Sequence, residues 1–388
     1  MIVLLILLPI AGYGYGNNIA LEIISPKEAT TGTPAIPATH RIFRAYTGLT
    51  YEIRAQVIGG AYPYTFALSN TPAGMTINEH TGVITWTDPQ ASASNIGLRV
   101  YDRDGDYVDS TWSITVGTSG FYFVDDSAGT GGTGTAESPF DAIDDVLALD
   151  DETGIVYFRA GTYAVPEYHP SYVNAGIDAV GCNLVYGNTP RIWLEYPGET
   201  ATISMTDRFF EIGATTTPWW FDNLTFYNSG EWTFRSGSSQ NYTTFYECEW
   251  NTISSTATGN GNQGGYFTYA NGTGSYLVFQ NCAFHHYSDS AGIGSLYQQD
   301  KMLIEGCSFT DQSMPGSTDI CTAIAAKVGV SNSTIRGNTA TVSAGSILGT
   351  PVNGMFANEG YGESINNDVC FNNFRHTTGG HVHWFNNN

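Results

Sequence analysis

The sequence predicts an all-β protein in two parts, a small N-terminal β-sandwich followed by a stacked coil of parallel strands behind one short α-helix. Three observations predict it. A six-residue pattern (apolar, any, turn residue, inward residue, any, apolar) recurs through the second half at intervals of 24, 34, 25 and 26 residues, and such a period is a solenoid signature. No repeat holds the ten or more residues of 3.6 periodicity that a helix requires. Glycine is abundant, with 45 residues, and only 13% of residues are charged, which suits short strands joined by tight turns.

The repeats are Phe221-Asp-Asn223-Leu224-Thr-Phe226, Phe245-Tyr-Glu-Cys248-Glu-Trp250, Phe279-Gln-Asn281-Cys282-Ala-Phe284, Ile304-Glu-Gly306-Cys307-Ser-Phe309 and Val330-Ser-Asn332-Ser333-Thr-Ile335. Asn and Gly most readily take the left-handed backbone that a sharp corner between strands needs. These residues resemble the right-handed parallel β-helix family of pectate-lyase-like proteins, with Asn223, Asn281 and Asn332 where that family often carries an asparagine ladder. The resemblance covers roughly Phe121 to the C-terminus. It implies a fold shared by lyases, hydrolases, adhesins and viral tailspikes, and so specifies fold more than function.

Fourteen basic against 36 acidic residues give a net charge of −22, with Lys27, Lys301 and Lys327 as the lysines. Such a surface repels phosphate backbones and anionic lipid heads, which argues against nucleic-acid or membrane-surface partners. It fits an extracellular setting and tolerance of divalent cations. Six cysteines in 388 residues do not make a disulfide scaffold. Cys248, Cys282 and Cys307 share one register and are expected to stack as a buried column of small apolar side chains, about 4.8 Å apart.

In order, residues 1–16 form an apolar run too short to span a bilayer. The run ends in small residues in the manner of a secretory signal, although it carries no Lys or Arg. A docked apolar strand is the competing reading. Residues 17–117 read as regular alternating strands without a helix, hence a sandwich. The stretch GGAYPYTFALSNTPAGMTINEHTGVITWT with VYDRDGDYVDSTWSITV is similar to the cadherin-like, immunoglobulin-type modules of bacterial surface proteins, which serve as spacers or carbohydrate-associated domains. Within it Asp102, Asp104 and Asp106 alternate around Gly105, a candidate Ca²⁺ cluster. An aspartate-lined hairpin turn is the alternative.

Residues 118–154 hold a lead-in strand, a glycine-rich loop and the helix. Gly129, Gly131 and Gly134 imitate a dinucleotide fingerprint, but no further βαβ unit follows to build a doubly wound sheet. Ser138, Pro139 and Asp141 give a helix start, and Phe140, Ile143, Val146 and Leu147 give one apolar face to plug the first rung. Residues 155–388 leave room for about nine coils. The final Phe385-Asn-Asn387-Asn388 repeats an approach to a corner without its return strand. That pattern suggests either truncation of a longer coil or an end covered by a second copy, as in a homo-oligomer or fibre.

A stacked coil presents side chains in rows along one flank, which suits an extended extracellular polysaccharide. The expected groove rows are Trp232 to Arg235, Tyr266 to Tyr269, Leu296 to Gln298 and Ile324 to Lys327. Trp232, Tyr266, Tyr269 and Tyr297 are the candidate sugar-stacking residues, set against the plain preference of tyrosine for strands. Lysis of a uronate polymer needs a base and charge neutralisation, often by Ca²⁺, and Lys327, Arg235 and Asp300 are the weak catalytic candidates. Arg235 and Lys327 fall three rungs apart, roughly 14 Å, too far to act on one sugar. Hydrolysis needs a carboxyl pair, for which Asp289, Asp300, Asp311 and Asp319 lie on neighbouring coils without a paired motif. His285-His286 and the pair His381 and His383 lack a third metal ligand nearby in the sequence.

Two function classes follow. One is a secreted or surface-displayed glycan-binding or structural protein, such as an adhesin or fibre component. The other is a polysaccharide lyase or glycoside hydrolase acting on acidic extracellular polysaccharide.

Overall fold

The computed structural model describes residues 19–28, 35–165, 189–205, 210–212, 218–228, 234–236, 241–251, 266–268, 274–285, 291–310, 322–342, 356–358, 366–370 and 372–376. The N-terminal part is a sandwich. A sheet of Arg44–Tyr46, Tyr107–Gly117, Ala93–Tyr101 and Thr65–Ser69 faces one of Tyr51–Arg54, Val83–Trp86 and Met75–Ile77, and Glu22–Ser25 pairs antiparallel with Gln56–Ile58. Alternation makes the core: Ile53, Ile84, Trp86, Ile96, Leu98, Val100, Trp112 and Ile114 are all buried.

Beyond Gly117 the chain winds into a parallel β-helix of three sheets, nine-, eight- and six-stranded among the described residues. The nine-stranded sheet runs from Phe121–Val124 through Ile155–Phe158, Ile192–Glu195, Trp220–Asp222, Thr244–Tyr246, Val278–Gln280, Leu303–Glu305 and Thr334–Arg336 to Asp368–Cys370. Each rung then turns one sharp corner into the eight-stranded sheet. The inward position of consecutive rungs carries like side chains, so aromatic rings stack along the axis. Phe221, Phe245 and Phe279 stack at 5.1 and 4.8 Å, and Trp250, Phe284 and Phe309 at 4.5 and 4.9 Å.

The first corner row is Asn223, Glu247, Asn281, Gly306 and Gly337, with φ of 55°, 52°, 54°, 67° and 65°. The fifth sequence repeat does not belong to it. Ile335 pairs with Ile304, so Gly337-Asn338 stands where Gly306-Cys307 stands, and the step from Cys307 to its successor is 31 residues rather than 26. Asn332 instead closes a second corner row at the other end of the same strands, with Tyr242, Tyr276, Lys301 and Asn366, all at positive φ. The mimicry has a simple cause: both corners are a left-handed residue followed by an inward one.

The inward column after the first corner is Leu224, Cys248, Cys282, Cys307, Asn338 and Asn372. The three cysteines are buried free thiols, as the shared register predicts, and burial raises the Cys248 and Cys282 thiol pKa values. Farther along, the column turns to amides. Asn338 Oδ1 accepts from the Cys307 N–H at 2.8 Å, and Asn338 Nδ2 donates to Ile304 O at 3.0 Å and to Asn372 Oδ1 at 3.0 Å. This inward ladder, together with Asn366 donating to Asn332 Oδ1, is where asparagines meet. At Asn223 and Asn281 the partner one rung back is a glutamate, Glu195 and Glu247.

The helix is shorter than the sequence suggests. It spans Ile143–Leu147, because Phe140 is still extended, bridging Val124 and stacking on Tyr122. Ser138 and Asp141 therefore precede it rather than cap it. Ile143 and Val146 do enter the β-helix core beside Val124, Val156 and Phe158, which covers the first rung.

Candidate glycan-binding faces

Three outer faces follow from three sheets, and the sandwich covers one of them. On the nine-stranded sheet the outward row Ile155, Ile192, Trp220, Val278 and Leu303 is as buried as the inward one, and it joins the sandwich residues in one core. Each such aliphatic side chain contributes about 1.5–3 kcal/mol relative to exposure. Polar contacts fix the docking. Gln56 Nε2 donates to Thr244 Oγ1 at 3.1 Å, Gln280 Nε2 to Ala55 O at 3.2 Å, and the Gly59 N–H to Thr334 Oγ1 at 3.0 Å. Arg336, 2% exposed, donates to Glu305 Oε1 at 3.0 Å, to the Tyr64 hydroxyl at 2.6 Å and to Val57 O at 3.0 Å. Glu305 also meets Arg54 at 3.6 Å.

Burial alone would raise the Glu305 pKa, but Arg336 and Arg54 together hold it below the ordinary glutamate value. Asp222 on the same row is pushed up to about 7 by burial, against the pull of Arg41. None of these contacts is legible from repeats. The available signal was that IVYF, IWL and WWF are consecutively apolar, as strands covered on both faces are.

The six-stranded sheet carries the predicted groove strands: Phe234–Ser236, Tyr266–Thr268, Ala291–Tyr297 and Thr322–Val328 are among its members. Ile293, Leu296 and Ile324 form its buried inner row. Tyr266 is in register with Ile293 and Phe234, Arg235 with Phe267, and Tyr297 with Val328. Lys327 follows Ala326, the register partner of Leu296. Arg235 is thus one position from the register of the buried row and Tyr266 shares it, while Tyr297 and Lys327 follow Leu296 and its partner Ala326 where the register shifts. Trp232 and Tyr269 lie outside the described residues, as do Asp289, Asp311, Asp319, His286, His381, His383 and residues 1–16 and 385–388.

Asp300 is brought elsewhere. It sits in a two-stranded pairing with Ser275 beside the second corner row, where its Oδ1 accepts from Asn332 Nδ2 at 2.7 Å. Its neighbour Lys301 reaches across to the sandwich, bonding Glu22 at 2.8 Å.

The Asp102, Asp104 and Asp106 cluster is a turn lock. Asp102 Oδ1 accepts the N–H groups of Asp104 and Asp106, both at 3.0 Å, and Oδ2 accepts that of Ala61 at 2.9 Å. Both oxygens of Asp102 are thus engaged by backbone N–H groups that hold the hairpin turn. No group of three His, Cys, Asp or Glu arranged for a metal is present among the described residues.

The eight-stranded sheet is the second face that the described sandwich residues leave uncovered. Its inner row is Tyr163, Ile203, Phe226, Trp250, Phe284, Phe309 and Ala340, all buried. Its two outward rows are in strict register. One runs Thr162, Thr202, Thr225, Glu249, Ala283, Ser308, Thr339, Asn373, and the other Ala164, Ser204, Tyr227, Asn251, His285, Thr310, Thr341, Arg375. Glu249 approaches His285 at 3.6 Å. At its corner, Glu195 is pushed up to about 7 by burial, opposed by the Ala201 N–H.

The sequence model of the family described as "Putative Ig domain" matches residues 29–117, so the chain carries an immunoglobulin-like module ahead of a parallel β-helix. No curated protein matches the chain. Among solved structures, a rhamnogalacturonan lyase superposes with a TM-score of 0.37 at 14% identity, covering 61% of this chain and 72% of its own. A second protein, named as a putative alpha-galactosidase from Bacteroides fragilis, gives 0.21 at 14% identity over 48% of this chain and 37% of its own. Among the described residues no helix is long and apolar enough to cross a membrane.

Proposed function

We propose that the chain is a secreted or surface-displayed polysaccharide-binding protein whose β-helix presents the six-stranded face to an extended glycan. The immunoglobulin-like module holds the opposite flank rigid. The observation that carries this reading is positional. Arg235, Tyr297 and Lys327 stand on strands of one parallel sheet, while the nine-stranded face is closed by the module. Rungs repeating at about 4.8 Å give a polymer equivalent contacts along its length.

The test is affinity electrophoresis against a panel of extracellular polysaccharides. Lys327→Ala and Arg235→Ala should each weaken retention by roughly tenfold, the loss of one charge-assisted contact. Unchanged retention in both variants would overturn the reading.

The enzymatic alternative, a lyase or hydrolase of acidic polysaccharide, predicts unsaturated products absorbing in the ultraviolet or new reducing ends. The spread of Asp300 away from the sheet of Arg235 and Lys327 disfavours those three as one catalytic group. Assembly through the β-helix ends into an oligomer or fibre belongs to the same proposal and is checked by electron microscopy.

A further inference from the structure

We infer that the eight-stranded face is a second docking surface, and that its occupant is an uncharged, hydroxyl-rich polysaccharide lying across the strands. The proposal rests on the glycan-binding reading above and adds to it a different face and a different ligand class. Exposed surfaces of soluble domains usually carry about 25–35% charged residues. Here sixteen outward positions in two rows include one carboxylate, Glu249, set against His285, and one basic position, Arg375, on the last described strand. Nine of the sixteen are Thr or Ser or carry the phenol of Tyr227.

Thr162, Thr202 and Thr225 occupy consecutive rungs of one row, and Ser308 with Thr339 and Thr310 with Thr341 are register partners on later rungs, so hydroxyls stand about 4.8 Å apart at both ends of the face. The buried row between the two outward rows holds them level: Phe226, Trp250, Phe284 and Phe309 are each at most 1% exposed. Tyr227, 41% exposed, stands in one row as an apolar ring for a sugar face. Hydroxyls both donate and accept, which matches the hydroxyls of a sugar polymer whichever way its chain runs. A polyanion would meet the repulsion of a chain with net charge −22 and find one basic position in these rows, Arg375 on the last described strand, whereas a neutral polymer is indifferent to that field.

The probes are microcrystalline cellulose and powdered chitin in a sedimentation assay. Wild-type protein is expected to sediment with at least one, and binding should survive raised salt because no ion pair is involved. The variant Thr225→Glu/Thr310→Glu/Thr341→Glu should lose at least tenfold in bound fraction, and the matching Thr→Ser variant should retain it. Equal melting temperatures of the three proteins separate lost binding from lost fold. Should the glutamate variant unfold, Tyr227→Ala alone is expected to lose several-fold.

Failure of wild-type protein to bind either solid, or equal binding by the glutamate variant, overturns the inference. Lys327→Ala and Arg235→Ala should leave this binding unchanged. Failure of the six-stranded face to bind glycan therefore leaves a distinct signature from failure of this one.

Discussion

Arg336 shows what a single residue does in this molecule. Its guanidinium is the outward side chain of a β-helix strand, yet it is spent on Glu305, Tyr64 and Val57. Removing one member of a buried ion pair strands the other, so Arg336→Ala should cost about 3–5 kcal/mol. Arg336→Ala combined with Glu305→Ala should cost less than the sum, read from urea unfolding in a double-mutant cycle.

Two carboxyls beside the first corner row act in the opposite sense with pH. Asp222 and Glu195, with ordinary values of 3.8 and 4.5, are both held at about 7 by burial. Each favours the neutral form in the folded state. Their contribution is complete below the ordinary carboxylate range and is lost as pH rises through about 7. Glu305, held low, contributes above that range and loses its contribution on acidification. Asp222→Asn should therefore flatten the fall in melting temperature between pH 5.5 and 8.5. An unaltered slope would mean Asp222 is better solvated than its position beneath the sandwich implies.

At the scale of elements, corners do the work that helices do in other solenoids. Non-glycine residues at positive φ cost roughly 1–2 kcal/mol each, and here even Tyr242 and Tyr276 accept it. Their rings stack at 4.5 Å, within 9° of parallel, so packing offsets the backbone cost. Gly59 has no such latitude. Its φ is +65° and a Cβ would lie 2.2 Å from Ala20 O, at the point where its N–H bonds Thr334. Gly59→Ala is expected to lose more than that 1–2 kcal/mol, with the docking strand displaced, visible as increased amide exchange at Gln56–Ile58.

Four of the five repeats, the thiol column and the apolar plug were legible because each depends on a period the sequence keeps. The fifth repeat slipped because Asn332-Ser333 imitates Gly337-Asn338 five residues early. The helix start misled because Ser138-Pro139 satisfies capping preferences in a stretch that tertiary pairing keeps extended. The groove candidates were harder still, since loop insertions shift the six-stranded sheet relative to the corners, and a one-residue shift exchanges inner and outer positions.

For the whole molecule, the module and the β-helix share one apolar core, which excludes a simple picture of a spacer on a stalk. Urea unfolding of the intact chain should show sandwich and β-helix probes changing together, as Trp112 and Trp220 lie in the same cluster. Removing residues 1–117 would bare Ile155, Ile192, Trp220, Val278 and Leu303 along the nine-stranded sheet. The truncated chain should bind a dye sensitive to apolar surface and self-associate, measured by fluorescence and light scattering. A soluble, monomeric truncation would show the seam to be dispensable.

The seam also bears on how the chain is made. The sandwich is synthesised before any rung, and domains fold as they emerge. Its flank from His40 to Tyr64 spans partners from Trp220 to Arg336. A sandwich that folds first would offer each later coil a partner for its apolar outer residue, so a chain beginning at residue 118 is expected to refold more slowly than the intact one, read from tryptophan fluorescence after dilution from urea.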